Sequence, residues 1–152
     1  MRLFIIAALI VLMDQLAKLL VINYMTVGQS IHLIGDFLLI TYVRNPGAAF
    51  GMLPYNTLFF IIITIVVIGF IIYYYRLLDH QHRWLRLALA LQLGGAVGNL
   101  IDRIFRDGYV IDFINFTIWP PVFNIADSSL VIGIAIFIIA FWRDPEIRGE
   151  RS

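Results

Sequence analysis

The stretch TLFFIIITIVVIGFIIYYY, residues 57–75, runs for nineteen residues without a charge. At about 1.5 Å of rise per residue, a helix of that length reaches roughly 28 Å, close to the hydrocarbon thickness of a bilayer. Its three closing tyrosines suit the membrane–water boundary, where a ring can lie in lipid while its hydroxyl meets water. Working outward, 3–23, 84–101 and 127–142 are also long and apolar, though each carries polar residues within it or at its ends. The rest of the composition agrees. Of 152 residues, 61% are hydrophobic and 14% charged, with a mean hydropathy of +0.90. A soluble domain averages about 45–50% apolar and about 25% charged. The expectation is an integral membrane protein with four transmembrane helices.

Charge and residue usage exclude several classes. A net charge of +1 gives no basic field for nucleic acid. The absence of cysteine excludes disulfides, thiolate metal sites and a cysteine nucleophile. His80 and His82 form an H-x-H pair without a third ligand, which reads as solvated loop rather than a metal site. The first helix resembles a signal-peptide core behind Arg2, but Asp14 and Lys18 occupy the region where a cleavage site would lie. It therefore reads as an uncleaved span. Arg2, Arg76, Arg83, Arg86, Arg143, Arg148 and Arg151 flank one side, and Arg44, Arg103 and Arg106 the other. The positive-inside bias predicts both termini and the 76–86 loop in the cytoplasm.

Two segments remain outside, 24–56 and 102–126. SIHLIGDFLLITYV (30–43) is rich in β-branched and aromatic residues and reads as two short strands broken near Gly35-Asp36. YVIDFINFTIW (109–119) is almost wholly apolar before Pro120-Pro121, and reads as an interfacial segment of open type. No second domain boundary is visible, so residues 1–152 are expected to form a single unit.

The carboxylates and amides fall where lipid should exclude them. Asp14 and Lys18 lie inside the first helix, Asn99, Asp102 and Arg103 end the third, and Asn124 and Asp127 open the fourth. Asp112 interrupts an apolar run. Ionisable groups at membrane depth mark functional sites or internal pairs. By topology these residues gather at the outer leaflet, where they are expected to face one another. Most have a plain structural reading beside the functional one. Asp127 can cap a helix, Asp14 and Lys18 can pair along one face, and Asp102-Arg103 can be interfacial charge. Gly94-x-x-x-Gly98 can admit a neighbouring helix. Asp112 serves no turn or cap.

Two aspartates meeting in a partly dry site cannot both ionise cheaply, so the pair holds one proton near neutral pH. One carboxylate can then take a proton from water while the other protonates the carbonyl under attack. That chemistry is peptide hydrolysis without metal or organic cofactor. H-E-x-x-H and G-x-S-x-G are absent. A serine–lysine dyad of Ser128 or Ser129 with Lys18 is conceivable, although two serines opening a helix are more simply capping residues. An ion- or proton-conducting component using Asp14, Asp112 and Asp127 is the alternative from another class. A structural subunit held together by its charges is a third.

Five blocks in order carry a resemblance: DQLAK at 14–18, RNPGAAFG at 44–51, GGAVGNLIDR at 94–103, VIDFI at 110–114 and FNIADS at 123–128. The chain resembles bacterial lipoprotein signal peptidase, or signal peptidase II, over essentially its full length. The resemblance implies an aspartic endopeptidase of the bacterial inner membrane, acting at its outer face. Such enzymes cut diacylglyceryl-modified prolipoproteins before the lipidated cysteine, need no cofactor, and are inhibited by globomycin-type cyclic peptides. It implies Asp112 and Asp127 as the catalytic pair, and Asn45 and Arg103 as contacts to the substrate main chain. Asp14, Lys18, Asn99, Asp102 and Asn124 would line or brace the site. It also implies four transmembrane helices, an extracytoplasmic β-cradle and a short surface helix, making 102–126 partly helical. Phe50, Phe113 and Phe123 are candidate acyl-groove walls. The 30–56 and 103–116 segments, with Gly47, Gly51 and Gly108, are candidates for a clamp over the peptide.

Overall fold

A computed structural model describes residues 2–47 and 56–145. Phe50 and Gly51 lie outside the described residues, as do Arg148 and Arg151. The elements run α1 (Arg2–Tyr24), β1 (Ser30–Ile34), β2 (Leu38–Asn45), α2 (Thr57–Leu77), α3 (Arg83–Phe105), β3 (Val110–Phe116), β4 (Val122–Phe123) and α4 (Ile125–Arg143). All four helices are long and apolar enough to cross a membrane. Each runs slightly beyond its sequence-predicted bounds. Asp102 and Arg103 thus belong to the last turns of α3, and Asp127 to the first turn of α4.

Helix α3 is the hub, packing most extensively on α4, then α1, then α2. Its small residues permit this. A Cβ on Gly94 would stand 2.7 Å from the Cβ of Ile10, and one on Gly98 2.9 Å from Asp14 Oδ2. A Cβ on Gly95 would overlap the carbonyl oxygen of Ala126 at the start of α4. The G-x-x-x-G spacing therefore does bring helices close, α1 against Gly94 and Gly98 and α4 against Gly95. Without water to drive association, such close approach is what binds helices in lipid. At the end remote from the sheet, Leu3, Ala7, Ile71, Leu85, Leu89 and Leu93 form an apolar cluster.

The strands form one antiparallel sheet in the order β1-β2-β3-β4. The predicted break in 30–43 is a tight turn: Gly35 takes φ +46°, and the Phe37 amide donates to the Ile34 carbonyl at 3.0 Å. Strand β1 is exposed throughout and forms the edge. The surface helix implied for 102–126 is not what that segment forms. Beyond the end of α3 it turns through Asp107 and Gly108, then runs as β3 and β4. The physical reason is pairing: β2 offers its free edge, and β3 takes it in the register Val43–Asp112 and Asn45–Val110. Residues Val110 to Phe113 are all buried, so the segment lacks the alternation that marks a half-exposed strand. Strands β2 and β3, from the two segments expected to clamp over the peptide, are hydrogen-bonded neighbours in one sheet, and residues 48–55 of the first segment lie outside the described residues. Phe113 is no groove wall; it packs with Val21, Met25, Tyr42 and Ile111, anchoring the sheet to α1.

Candidate active site

Two elements, β3 and α4, deliver the acidic pair, and β2 and α3 bring its further partners. Asp112 sits mid-strand on β3, 2% exposed. Asp127 sits at the third position of α4, whose N-cap is Asn124. Asn124 Oδ1 accepts from the Asp127 amide at 2.7 Å, and Asp127 Oδ2 accepts from the Asn124 amide at 3.3 Å. This reciprocal capping box satisfies two amide donors that the helix itself leaves unpaired. The capping reading of Asp127 is thus partly right, with Asn124 as the cap and Asp127 as its return partner.

The same Asn124 links the two acids. Its Nδ2 donates to Asp112 Oδ1 at 2.7 Å. The other oxygen, Asp112 Oδ2, accepts from Asn45 Nδ2 at 2.9 Å, while Asn45 Oδ1 accepts from the Gly47 amide at 3.0 Å. Asp127 Oδ1 accepts from Asn99 Nδ2 at 2.7 Å. Burial, first, and the charge of Asp127, second, push the Asp112 carboxyl up to about 7 against the opposing pull of the Asn45 and Asn124 hydrogen bonds. A carboxyl so placed can hold a proton or release it near neutral pH.

Behind the pair lies a fully buried charge cluster. Lys18 Nζ contacts Asp14 Oδ2 at 2.8 Å and Asp102 Oδ2 at 2.9 Å, and donates to Asn99 Oδ1 at 3.1 Å. Asp14, Lys18 and Asp102 each have no solvent exposure. The predicted ion pair of Asp14 and Lys18 is therefore real, but it is one edge of a larger network. Asp14 Oδ1 accepts from the Ala126 amide at 2.9 Å, and Asp102 Oδ2 from the Ile111 amide at 2.9 Å. Asp14 thereby fixes the start of α4, and Asp102 fixes the residue before Asp112.

Two members of this network were not singled out from sequence as site residues. Gln15 Nε2 donates to Asp14, to the Gly98 carbonyl and to Asp102 within 3.1 Å. Arg106 pairs with Asp102. Gln15 stands beside Asp14 inside an apolar helix, a signal that was available; Arg106, one turn after Asp102, looks like ordinary interfacial charge. Neither candidate serine joins Lys18. Ser128 Oγ donates to the Asn124 carbonyl at 2.9 Å and Ser129 Oγ to the Leu91 carbonyl at 2.8 Å.

A cleft of about 500 Å³ opens onto the pair, lined among others by Asn45, Gly47, Asn99, Arg103, Asp112 and Asp127. Phe123, Pro120 and Val131 give it apolar walls. Arg103 donates to the Gly47 carbonyl at 3.3 Å, and its guanidinium stands 5.0 Å from the Phe60 ring centroid. Gly108 lies away from the cleft, close against Thr57. A second cavity of about 510 Å³, at the far end between Trp84, Ile139 and Arg143, has only Asp144 as a described carboxylate. There His82 Nδ1 lies 2.6 Å from Asp144 Oδ2, so His82 is a paired residue rather than a solvated one. Among the described residues no group of three or more His, Cys, Asp or Glu is placed to hold a metal ion.

The profile of the signal peptidase II family matches residues 6–143. The lipoprotein signal peptidase of Halothermothrix orenii is 49% identical over 145 residues, spanning 95% of this chain and 97% of its own length. That of Moorella thermoacetica is 46% identical over 150 residues, spanning 98% and 97%. A solved bacterial membrane enzyme superposes with a TM-score of 0.90 at 38% identity, over 99% of this chain and 93% of its own.

Proposed function

The chain belongs to the signal peptidase II family of aspartic peptidases, and on that footing we propose that Asp112 and Asp127 are the carboxyl pair with which it cuts its substrates. Its activity is the removal of signal peptides from prolipoproteins. An ion- or proton-conducting role finds no support. The observation that carries the pair is their meeting, from a strand and a helix, on one cleft while sharing the Asn124 side chain. A water held between two carboxyls that share one proton can be deprotonated by one of them while the other protonates the peptide carbonyl. Asn45 and Arg103 bind the peptide main chain, a role supported by their both lining the cleft. Asp14, Lys18, Asn99, Asp102 and Asn124 hold the pair in position.

The finer reading rests on the family resemblance and on the charge bias of the flanking segments. The substrate is a precursor whose cysteine already carries diacylglycerol, cut immediately before that cysteine. Acyl chains then rest in lipid or against apolar walls such as Phe123, and the scissile bond stands at headgroup level. The enzyme spans the bacterial inner membrane with both termini cytoplasmic and the cleft at the outer face. The positive-inside bias supports that orientation. Globomycin-type cyclic peptides are expected to compete for the same cleft.

The test is purified protein with a diacylglyceryl-modified precursor peptide. Asp112→Asn and Asp127→Asn should each lower cleavage by roughly 10²–10⁴-fold while the protein remains folded. Wild-type rates in both variants would overturn the pair. Equal cleavage of an unlipidated peptide would overturn the acyl requirement alone.

A further inference from the structure

Resting on Asp112 and Asp127 as the catalytic pair, we propose that the shared proton resides on Asp112, and that Asp127, held by Lys18 acting through Asn99, is the ionised member that activates water. The orientation of three carboxamides carries this assignment. An ammonium can only donate, so Lys18 obliges Asn99 to present Oδ1 to it, at 3.1 Å. Asn124 Nδ2 donates to the same oxygen, also at 3.1 Å. Asn99 Nδ2 must then face the other way, and it donates to Asp127 Oδ1. Asn124 is fixed by the Asp127 amide, and Asn45 by the Gly47 amide. No amide of the three can reverse without losing a partner.

The two acids stand in unequal fields. Asp127 lies in the first turn of a nineteen-residue helix, whose N-terminus favours negative charge. It takes one hydrogen bond from a backbone amide and one from a carboxamide polarised by the Lys18 ammonium. Arg103 on α3 lines the same cleft as both acids. Among the described residues, Asp112 has no helix end and no cation in contact, and its two donors are neutral side-chain amides. The other charges facing the pair are Asp14 on α1 and Asp102 on α3, offset by Lys18 and Arg106. The elevation of Asp112 to about 7 by burial and by the Asp127 charge agrees with this division.

The cycle then balances. Asp127 takes a proton from water as the water oxygen bonds to the peptide carbon, and Asp112 gives its proton to the carbonyl oxygen. The resulting gem-diol collapses with cleavage of the C–N bond. The leaving nitrogen takes the proton held by Asp127, and a gem-diol hydroxyl returns one to Asp112. Both acids end as they began, with one water consumed.

Infrared difference spectroscopy on protein carrying isotope-labelled aspartate, in an ester-free detergent at about pH 6, reads the proton directly. The protonated-carboxyl band should vanish in Asp112→Asn and persist in Asp127→Asn with its midpoint moved down, because burial still raises Asp112 when the neighbouring charge is gone; the reverse pattern, or a band lost in both or in neither, overturns the assignment. Kinetics give a second reading. In the bell-shaped kcat/KM profile, Asn45→Ala should move the alkaline limb upward by about one pH unit, because Asn45 touches only Asp112 of the two acids. Asn99→Ala should move the acid limb instead, since Asn99 touches only Asp127. Loss of rate at all pH values with both limbs fixed would reduce these residues to a structural role and overturn the relay. Wild-type cleavage by both aspartate variants would instead remove the catalytic pair itself, whichever acid holds the proton.

Discussion

Helices α2 and α3 are adjacent and nearly equal in length, with 21 and 23 residues, yet they belong to different environments. The more apolar helix, α2, buries one residue, Ile71, and shows Ile62, Val66 and Phe70 outward. The more polar helix, α3, buries eleven, among them Asn99 and Asp102. In water the more apolar helix would be the core. In lipid an apolar face gains nothing by leaving its surroundings, so small residues and internal polar partners decide which helix lies at the centre. Their division also separates roles: α2 turns its apolar face outward, and α3 lends Asn99, Asp102 and Arg103 to the polar cluster around the acids.

Removing the cation that α1 sets against α3 should break this contrast most strongly. Lys18→Met leaves Asp14 and Asp102 buried without their common partner, and loss of one member of a buried pair costs about 3–5 kcal/mol. Arg76→Met, at the exposed end of α2, should stay within about 0.5 kcal/mol. Thermal unfolding in detergent compares them, and equal losses would deny the buried network its role. A smaller effect is expected from pH. Asp112 binds its proton more tightly folded than unfolded, so its contribution is complete below pH 4 and is lost as pH rises through about 7. Wild-type stability should therefore fall across that window, and Asp112→Asn should make the fall shallower and be the more stable protein above it. Parallel stability curves would contradict this. A smaller effect again is expected from a single methyl. Gly95→Ala would press on the Ala126 carbonyl and Leu130, costing about 1–3 kcal/mol, whereas Gly69→Ala in α2 meets nothing within 4 Å and should be near neutral.

Particular residues show how far sequence could reach. Asp14, Lys18, Asn99, Asp102, Asn124 and Asp127 could be grouped because each interrupts or bounds an apolar span, and charge at membrane depth has few solvers other than another polar group. Asn45 came only with the family blocks, since a polar residue outside the spans is unremarkable by itself; Arg103 could be grouped with the charges ending the third span, but a contact to substrate came only with those blocks. Gln15 stayed unassigned because a neutral amide beside an acid gives no sign of which carbonyl or carboxylate it will reach. The conformation of 110–116 was open because a segment buried on successive residues lacks the period of either helix or half-exposed strand. Its partner, β2, lies more than sixty residues earlier.

Membrane residence, four spans, the strand pair within 30–43 and the convergence of the acids at one level are local consequences of composition, period and span length. Each can be read without knowing which helix touches which. The central place of α3, the strand character of 110–116 and the direction of each carboxamide depend on contacts between residues distant in the chain. A hydrogen bond has a direction that its residue type does not specify. Only when Lys18, Asn99, Asn124 and Asn45 were set against their partners did the two aspartates, chemically identical in sequence, become unequal in environment.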